Sequence, residues 1–264
     1  MKYIILDTET TCLDFNKLEI WQFSGMVVDL EEKKISKFDY KFKTKNELSY
    51  EARVRCNITN EIVSSYPEFD PNIIIKELLV NEEDVYYIGH NVNFDKLAIM
   101  NVLNRYKMFN IGNLRDNNKW IDTLKLTKAK YNDLIVKDIS GENPISYKLN
   151  YLFHLFHLYN NEEDLKFHDS MFDVEITWRL FRYICKENKW DIKYDIEEIL
   201  KTNIEPILLK IFPFGKYKGK NIAEIYNMHT SETDSYFGWL ANQEICDINS
   251  PNCNKDLIYT LEQL

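Results

Sequence analysis

Four acidic side chains and one histidine stand at three separate places in the sequence. Asp7 and Glu9 end a short β-branched run, Asp95 follows a second such run, and His168 lies five residues before Asp173. Two divalent cations, about 3.5–4 Å apart, need carboxylates to hold them and open positions for water and substrate. A histidine with an ordinary pKa of about 6.5 can take a proton from water at neutral pH. The combination is what two-metal phosphodiester chemistry needs.

Each part of this set is ambiguous when it is taken alone. Asp7 and Glu9 share one face of a strand, but D-x-E pairs arise by chance among 42 acids. Asp95 suits the start of a helix, where the helix dipole favours a carboxylate. A single histidine such as His168 is more often a surface residue than a base. The chemistry is therefore indicated by the conjunction of the parts.

The elements that must position these residues alternate along the chain. The pattern predicts strands over 3–7, 20–30, 35–43, 85–89 and 120–124. It predicts helices that follow Thr59, begin at Pro71, and cover 94–106, 147–159 and about 170–187. This order predicts an α/β fold with a mixed sheet that helices cover on both faces.

Composition narrows the class of protein without fixing its function. The chain has 264 residues, of which 45% are apolar, and no apolar run approaches the roughly 18–20 residues of a membrane span. The N-terminus does not resemble a signal peptide, and five scattered cysteines without CxxC spacing argue against disulfides and structural zinc. We expect a cytoplasmic protein in a reducing compartment, with no membrane partner. A net charge of −9 does not exclude nucleic acid, because bound cations attract phosphate.

The chain divides into three parts by residue composition. Residues 1–187 form the predicted α/β domain, the polar segment 188–204 is the expected linker, and 205–264 form a small C-terminal α+β module. In that module Lys216, Lys218 and Lys220 alternate with other residues in a segment that we expect to be extended. All three would then point the same way and could contact successive phosphates. The alternative is that they are simply solvated.

The three groups of chemical residues are similar to the three motifs of the DEDDh (DnaQ-like) 3′→5′ exonuclease superfamily. The matching segments are Asp7-Thr8-Glu9-Thr10-Thr11, His90-Asn91-x-x-Phe94-Asp95 and His168-x4-Asp173. The resemblance implies an RNase H-like fold with a mixed five-stranded sheet. It also implies that Asp7, Glu9, Asp95 and Asp173 bind two Mg²⁺ or Mn²⁺ ions, with His168 as general base. Substrate contacts are implied at Thr10, Leu13, Asn91 and Phe94.

Two positions depart from the family pattern. Cys12 stands where a glycine is usual, and Cys56-Asn57 replace a frequent His-Gly pair before Ile58-Thr59. The first change removes glycine's backbone freedom from the loop after strand one. The second puts substrate contacts in its loop in doubt. Neither touches the five chemical residues, so we expect an active enzyme.

The C-terminal segment resembles the small module of exonuclease X-type proteins. The resemblance rests on Phe214-Gly215-Lys216-Tyr217-Lys218-Gly219-Lys220 and on the later Tyr236-Phe237-Gly238-Trp239-Leu240. It favours DNA over RNA as the substrate.

The sequence thus predicts a metal-dependent exonuclease that releases 5′-mononucleotides from single-stranded or frayed DNA 3′ ends in repair or end trimming. Two alternatives stay open, namely a 3′→5′ exoribonuclease and a non-catalytic nucleic-acid-binding or polymerase-associated module. The oligomeric state, the pathway and the choice between Mg²⁺ and Mn²⁺ are not encoded in these patterns.

Overall fold

The structure, a computed structural model, describes residues 1–131, 146–159, 169–248, 250 and 253–264. Their contacts define two compact units. The first combines Met1–Leu126 with Ser146–Asn203, and Ile204–Leu264 make up most of the second. No helix in these described ranges has the length and apolar character that crossing a bilayer requires.

The first unit is built on a mixed five-stranded sheet with the strand order β3-β2-β1-β4-β5. Its strands are β1 (Lys2–Thr10), β2 (Ile20–Asp29), β3 (Lys34–Lys41), β4 (Val85–Gly89) and β5 (Trp120–Asp122). The first three strands form an antiparallel meander, whereas β1 pairs in parallel with β4, and β4 with β5. This is the RNase H-like fold that the sequence predicts.

Eleven α-helices accompany the sheet in the described part of the chain. The first unit holds α1 (Tyr50–Cys56), α2 (Asn60–Ser64), α3 (Pro71–Glu77), α4 (Asn93–Arg105), α5 (Thr123–Lys130, which crosses the unit boundary), α6 (Leu149–Leu155), α7 (Ser170–Glu187) and α8 (Ile196–Ile204). The second unit holds α9 (Ile222–Tyr226), α10 (Ser231–Ala241) and α11 (Lys255–Glu262). Thr59 and Asp169 cap α2 and α7, and Pro71 opens α3, as their residue types predict.

Strand β1 lies at the centre of the sheet and is buried on both faces. Its side chains alternate, so Ile4 and Leu6 join the cluster that contains Ala98 of α4. Tyr3 points to the other face, where its ring lies 5.5 Å from that of Phe181 on α7. Helices on both faces thus fix the direction of β1, and with it the position of the residues at its carboxyl end.

The segment that the sequence marks as a linker packs against the sheet of the first unit. The Tyr3 hydroxyl donates to the Ile192 carbonyl at 2.7 Å. Asn203 on α8 pairs with the backbone of β5, accepting from Asp122 N at 2.8 Å and donating to the Trp120 carbonyl at 2.9 Å. The limits 1–187, 188–204 and 205–264 stay a prediction, although residues 188–203 group with the first unit by contact.

Candidate active site

A pocket of about 230 Å³ opens at the carboxyl end of β1 and β4. Three stretches of chain that are distant in sequence meet there, because β1, the β4–α4 connection and the first turn of α7 converge at this edge of the sheet. The pocket is lined by Asp7, Thr8, Glu9, Leu13, Arg55, His90, Asn91, Phe94, Asp95 and Asp173. All four predicted metal-binding carboxylates are therefore in one place.

Asp7 lies at the centre of this carboxylate group. Burial, and then the negative charges of Asp95, Glu9 and Asp173, raise the pKa of Asp7 well above its ordinary value. Its Oδ2 atom is buried and makes no hydrogen bond to any residue that the structure describes. The Ser170 hydroxyl donates to the main-chain carbonyl of Asp7 at 3.1 Å, which joins the start of α7 to β1. The cluster is thus electrostatically strained as it stands.

Asp95 occupies the first turn of α4 and turns back toward β1. Its Oδ1 accepts two hydrogen bonds from Thr8, one from the backbone nitrogen at 2.9 Å and one from the hydroxyl at 2.7 Å. Burial raises the pKa of Asp95 to about 7; the bonds from Thr8 oppose that rise, and the charge of Glu9 adds to it. The side chain is held firmly but is costly to ionise.

Glu9 is buried and paired with a cation. Its Oε2 lies 2.6 Å from Arg55 Nη2 and 3.2 Å from Cys56 Sγ. Burial opposes the charged form of Arg55, but the carboxylate of Glu9 outweighs it and raises the pKa of Arg55 above its ordinary value. Burial, followed by the charge of Glu9, raises the pKa of Cys56 to about 12. Both residues therefore stay protonated beside Glu9 at neutral pH.

Asp173 enters from helix α7 on the opposite side of the pocket. Asp169 caps that helix by accepting from the backbone nitrogens of Met171 and Phe172, which places Asp173 in the first turn. Asp173 also lines an adjoining cavity of about 300 Å³ together with Asp7, Arg55, His90, Lys148, Leu149, Asn150 and Thr177. The two cavities share Asp7, Arg55, His90 and Asp173, so they form a continuous cleft.

The predicted substrate-contacting residues divide into two groups. Leu13, Asn91 and Phe94 line the carboxylate pocket. Leu13 is 71% exposed and projects at its rim. Thr10 is buried instead, donates to the Cys12 carbonyl at 2.9 Å, and lines a smaller neighbouring cavity. The structure therefore does not bring the Thr10 side chain into the carboxylate pocket. The predicted base, His168, lies outside the described residues.

The loop between β4 and α4 is held by the end of β5, by Thr123 just after it, and by the backbone carbonyl of Tyr147. The His90 ring contacts Thr123 Oγ1 at 3.0 Å and the Tyr147 carbonyl at 2.9 Å. Asn91 has a left-handed backbone, with φ of 65°, and its nitrogen donates to Asp122 Oδ1 at 2.8 Å. Asparagine tolerates this conformation better than most residues. His90 thus belongs to the loop that positions Asp95.

The two departures from the family pattern have local explanations. Cys12 does not have a positive φ, so the loop after β1 does not need glycine there. Its side chain packs against the main core. At the second departure, Cys56 and the preceding Arg55 both contact Glu9 Oε2. Arg55 was not predicted from the sequence, in which it is one of 33 lysines and arginines.

The carboxylates fit a divalent cation chemically. Within the part of the chain that the structure describes, no three His, Cys, Asp or Glu side chains converge as a ready metal site. Glu9 faces Arg55 and Asp95 faces Thr8, so two carboxylates are already engaged. Oxygen ligands of this kind are those that Mg²⁺ and Mn²⁺ prefer. A bound cation would give the buried Asp7 Oδ2 a partner and would relieve the mutual repulsion of the carboxylates.

The three lysines of the second unit do not lie on an extended segment, and that expectation is wrong. Gly215 and Gly219 have φ of 77° and 78°, and residues 216–219 form turns. Lys216 pairs with Glu232, while Lys218 and Lys220 are exposed. The aromatic residues nearby build the core of the unit, which consists of Phe212, Ile222, Ile225, Tyr236, Leu240 and Leu257.

Comparison with known proteins gives consistent matches. The sequence model of the exonuclease family RNase_T matches residues 4–181. Exodeoxyribonuclease 10 of Escherichia coli K12 is 24% identical over 259 residues, which is 98% of each chain.

Solved structures support the fold. "Exonuclease X in complex with 5′ overhanging duplex DNA" aligns with a TM-score of 0.50 at 20% identity, covering 75% of this chain and 98% of that one. E. coli exonuclease I in complex with a dT13 oligonucleotide aligns with a TM-score of 0.55 at 19% identity, covering 71% of this chain and 42% of that one. The family match, which extends over most of the chain, identifies this protein as a member of the DnaQ-like RNase T exonuclease family.

Proposed function

We propose that the protein is a metal-dependent 3′→5′ exonuclease that removes 5′-mononucleotides from DNA 3′ ends. The observation that carries this proposal is the group of four carboxylates in one pocket, with Asp7 Oδ2 buried and unpartnered among the described residues. A protein that only binds nucleic acid gains nothing from carboxylates that repel one another and also repel phosphate. The cluster is therefore an argument for catalysis.

Asp7, Glu9, Asp95 and Asp173 are the residues that would hold the two cations. When bound, the ions supply activation of water and stabilisation of the leaving 3′-oxygen. Asp7 is central because its charge is opposed by all three of the others. Asp95 has its orientation set by Thr8, whereas Glu9 is set by Arg55.

The pocket walls would hold the terminal nucleotide. Leu13 is an exposed apolar side chain at the rim, and contact with a base would remove it from water. Phe94 and Asn91 line the same pocket, and the Phe94 ring lies 5.5 Å from that of Phe15, which supports it from behind. The pocket of about 230 Å³ suits one nucleotide entering end first, which favours single-stranded or frayed ends.

His168 is the proposed general base. Its support is the sequence spacing, since it stands one residue before the Asp169 cap and five before Asp173. A histidine could accept the proton of the attacking water at neutral pH.

DNA is the proposed substrate because the similar proteins are named for it. One relative is called an exodeoxyribonuclease, and two similar structures hold DNA. A 3′→5′ exoribonuclease is the alternative with the same chemistry. Matched DNA and RNA oligomers of one sequence, each labelled at the 5′ end, would separate them: faster shortening of the RNA would contradict the choice of DNA.

The catalytic assignment is tested in the same assay. Wild type should shorten a 5′-labelled DNA strand in single-nucleotide steps, and Asp7→Asn and His168→Ala should lose most of that activity. EDTA should stop the wild type. Equal activity in all three proteins would reject the proposed residues. A labelled 5′ end that is released first would reject the proposed direction.

Lys218 and Lys220 are the proposed nucleic-acid contacts of the second unit, with Lys216 contributing after it leaves Glu232. The support is their exposure in a unit that also exposes the ring of Trp239, within a chain that is acidic overall. Replacing all three lysines by alanine should weaken binding to a long strand and flatten its dependence on salt. Unchanged affinity and salt slope would show that the lysines are only solvated.

A further inference from the structure

Arg55 and Glu9 form an ion pair within the carboxylate pocket. Arg55 Nη2 lies 2.6 Å from Glu9 Oε2, and the Glu9 side chain is 5% exposed while that of Arg55 is 45% exposed. The cation thus reaches a buried carboxylate from the solvent side. Arg55 also lines both cavities of the cleft, together with Asp7 and Asp173.

Local structure fixes Arg55 at this place. Helix α1 begins at the Ser49 cap, whose nitrogen donates to the Thr11 carbonyl at 2.7 Å just beyond β1. The helix ends at Cys56, and the C-cap residue Asn57 adopts a left-handed conformation with φ of 47°. Arg55 therefore stands in the last turn, where the helix dipole favours a positive charge. The connection to β1 sets the helix end against Glu9.

The geometry points to a role for Arg55 as an internal counter-cation that competes with the divalent ions for Glu9. This inference rests on the proposed function, since it needs Glu9 to be a metal ligand. The guanidinium neutralises Glu9 in the metal-free protein and so reduces the repulsion that Glu9 exerts on its neighbours. Metal loading must then overcome this pair, and Arg55 sets the metal concentration at which the site fills.

Charge arithmetic gives the expected size of the effect. A unit positive charge about 6 Å from a divalent ion opposes its binding by roughly tenfold in affinity even with the full screening of water, and by more in a partly buried site. Loss of the hydrogen bond on Glu9 acts in the same direction, because the oxygen becomes available to the ion. Removing the positive charge should therefore tighten metal binding, while it should destabilise the metal-free protein.

The test is calorimetric titration of Mn²⁺ and Mg²⁺ into the full chain without DNA. Arg55→Gln should bind the ions at least about tenfold more tightly than wild type. Arg55→Lys, which keeps the charge, should stay close to wild type. Arg53→Gln is the matched control, because Arg53 lies on the same helix and its guanidinium stands over the exposed Tyr50 ring, 5.9 Å from the ring centroid. It should leave the affinity unchanged.

Thermal unfolding in EDTA gives a second readout. Arg55→Gln should melt below wild type without metal and regain the difference with saturating Mn²⁺. Equal metal affinity in wild type and Arg55→Gln overturns the competition. Weaker binding by Arg55→Gln overturns it too, because Arg55 would then position Glu9 for the ion. If wild type and Asp7→Asn both fail to bind either ion, the proposed function itself fails, and the inference with it.

Discussion

Replacing Asp95 with asparagine should stabilise the metal-free protein and abolish its activity. Asparagine keeps the Oδ1 acceptor for the two bonds from Thr8 and removes a charge that burial makes costly. The pKa of Asp95 rises from 3.8 to about 7 on folding. At about 1.36 kcal/mol per unit, ionising Asp95 costs the fold at most about 4 kcal/mol. We expect Asp95→Asn to gain roughly 2–4 kcal/mol at pH 8, or about 4–8 °C in melting temperature for a chain of this length.

The sign follows from proton linkage. Because the pKa is higher in the folded state, wild type loses stability as the pH rises from about 4 to about 7 and changes little through Asp95 above that. The advantage of Asp95→Asn should therefore vanish below pH 4 and be complete above pH 7. Thermal melts in EDTA across pH 4–8 measure it. Asp84→Asn, at an exposed carboxyl, is the control.

Metal should reduce the advantage of Asp95→Asn over wild type. A bound cation at one hundred times its dissociation constant stabilises the fold by about 2.7 kcal/mol. Wild type should gain this with Mg²⁺ or Mn²⁺, while Asp95→Asn should gain much less. A variant that melts below wild type at pH 8 in EDTA would refute the electrostatic reasoning, since it would mean that the charge of Asp95 is compensated within the fold.

Two substitutions test the scaffold, and one alkylation experiment tests the pocket. Asn203→Ala removes both hydrogen bonds to β5 and should cost about 1–3 kcal/mol in urea unfolding; an unchanged midpoint would mean that water replaces the amide. Gly25→Ala would place a Cβ 2.2 Å from the Phe38 ring and should cost about 1–3 kcal/mol, whereas Gly238→Ala has open space and should not; equal melting temperatures would show that the Phe38 ring yields freely. Cys56, with its pKa raised to about 12, should resist iodoacetamide at pH 8 in the folded protein and react once unfolded; rapid alkylation of the folded form, seen by mass spectrometry, would contradict the burial of its thiol beside Glu9.

Local signals carried most of the fold. Thr59, Pro71 and Asp169 have residue types that favour helix starts, and the β-branched runs became strands near their predicted limits. Helix α8 was not predicted, because the segment 188–204 is polar. The helix is stabilised by packing against the sheet. The partners of this segment, the Tyr3 hydroxyl for Ile192 and strand β5 for Asn203, lie far away in sequence.

The site was predictable as a set of residues, but its contacts were not. The motifs identified Asp7, Glu9, Asp95 and Asp173 in the sequence, and all four line one pocket in the structure. Arg55 could not be ranked above other cations, because its contact with Glu9 depends on where helix α1 ends. The lysine segment was predicted as extended because alternation was considered without its glycines, whose left-handed conformations turn the chain.

The two edge strands of the sheet are protected from further pairing in different ways. Strand β3 carries lysines at 34, 37 and 41, and such charges discourage a further strand from pairing. Strand β5 is met by the carboxamide of Asn203, which imitates a neighbouring peptide group. A strand border left open is a template on which another chain can add and aggregate. Shortening the protein before α8 would uncover this template, and we expect the shortened chain to aggregate more readily.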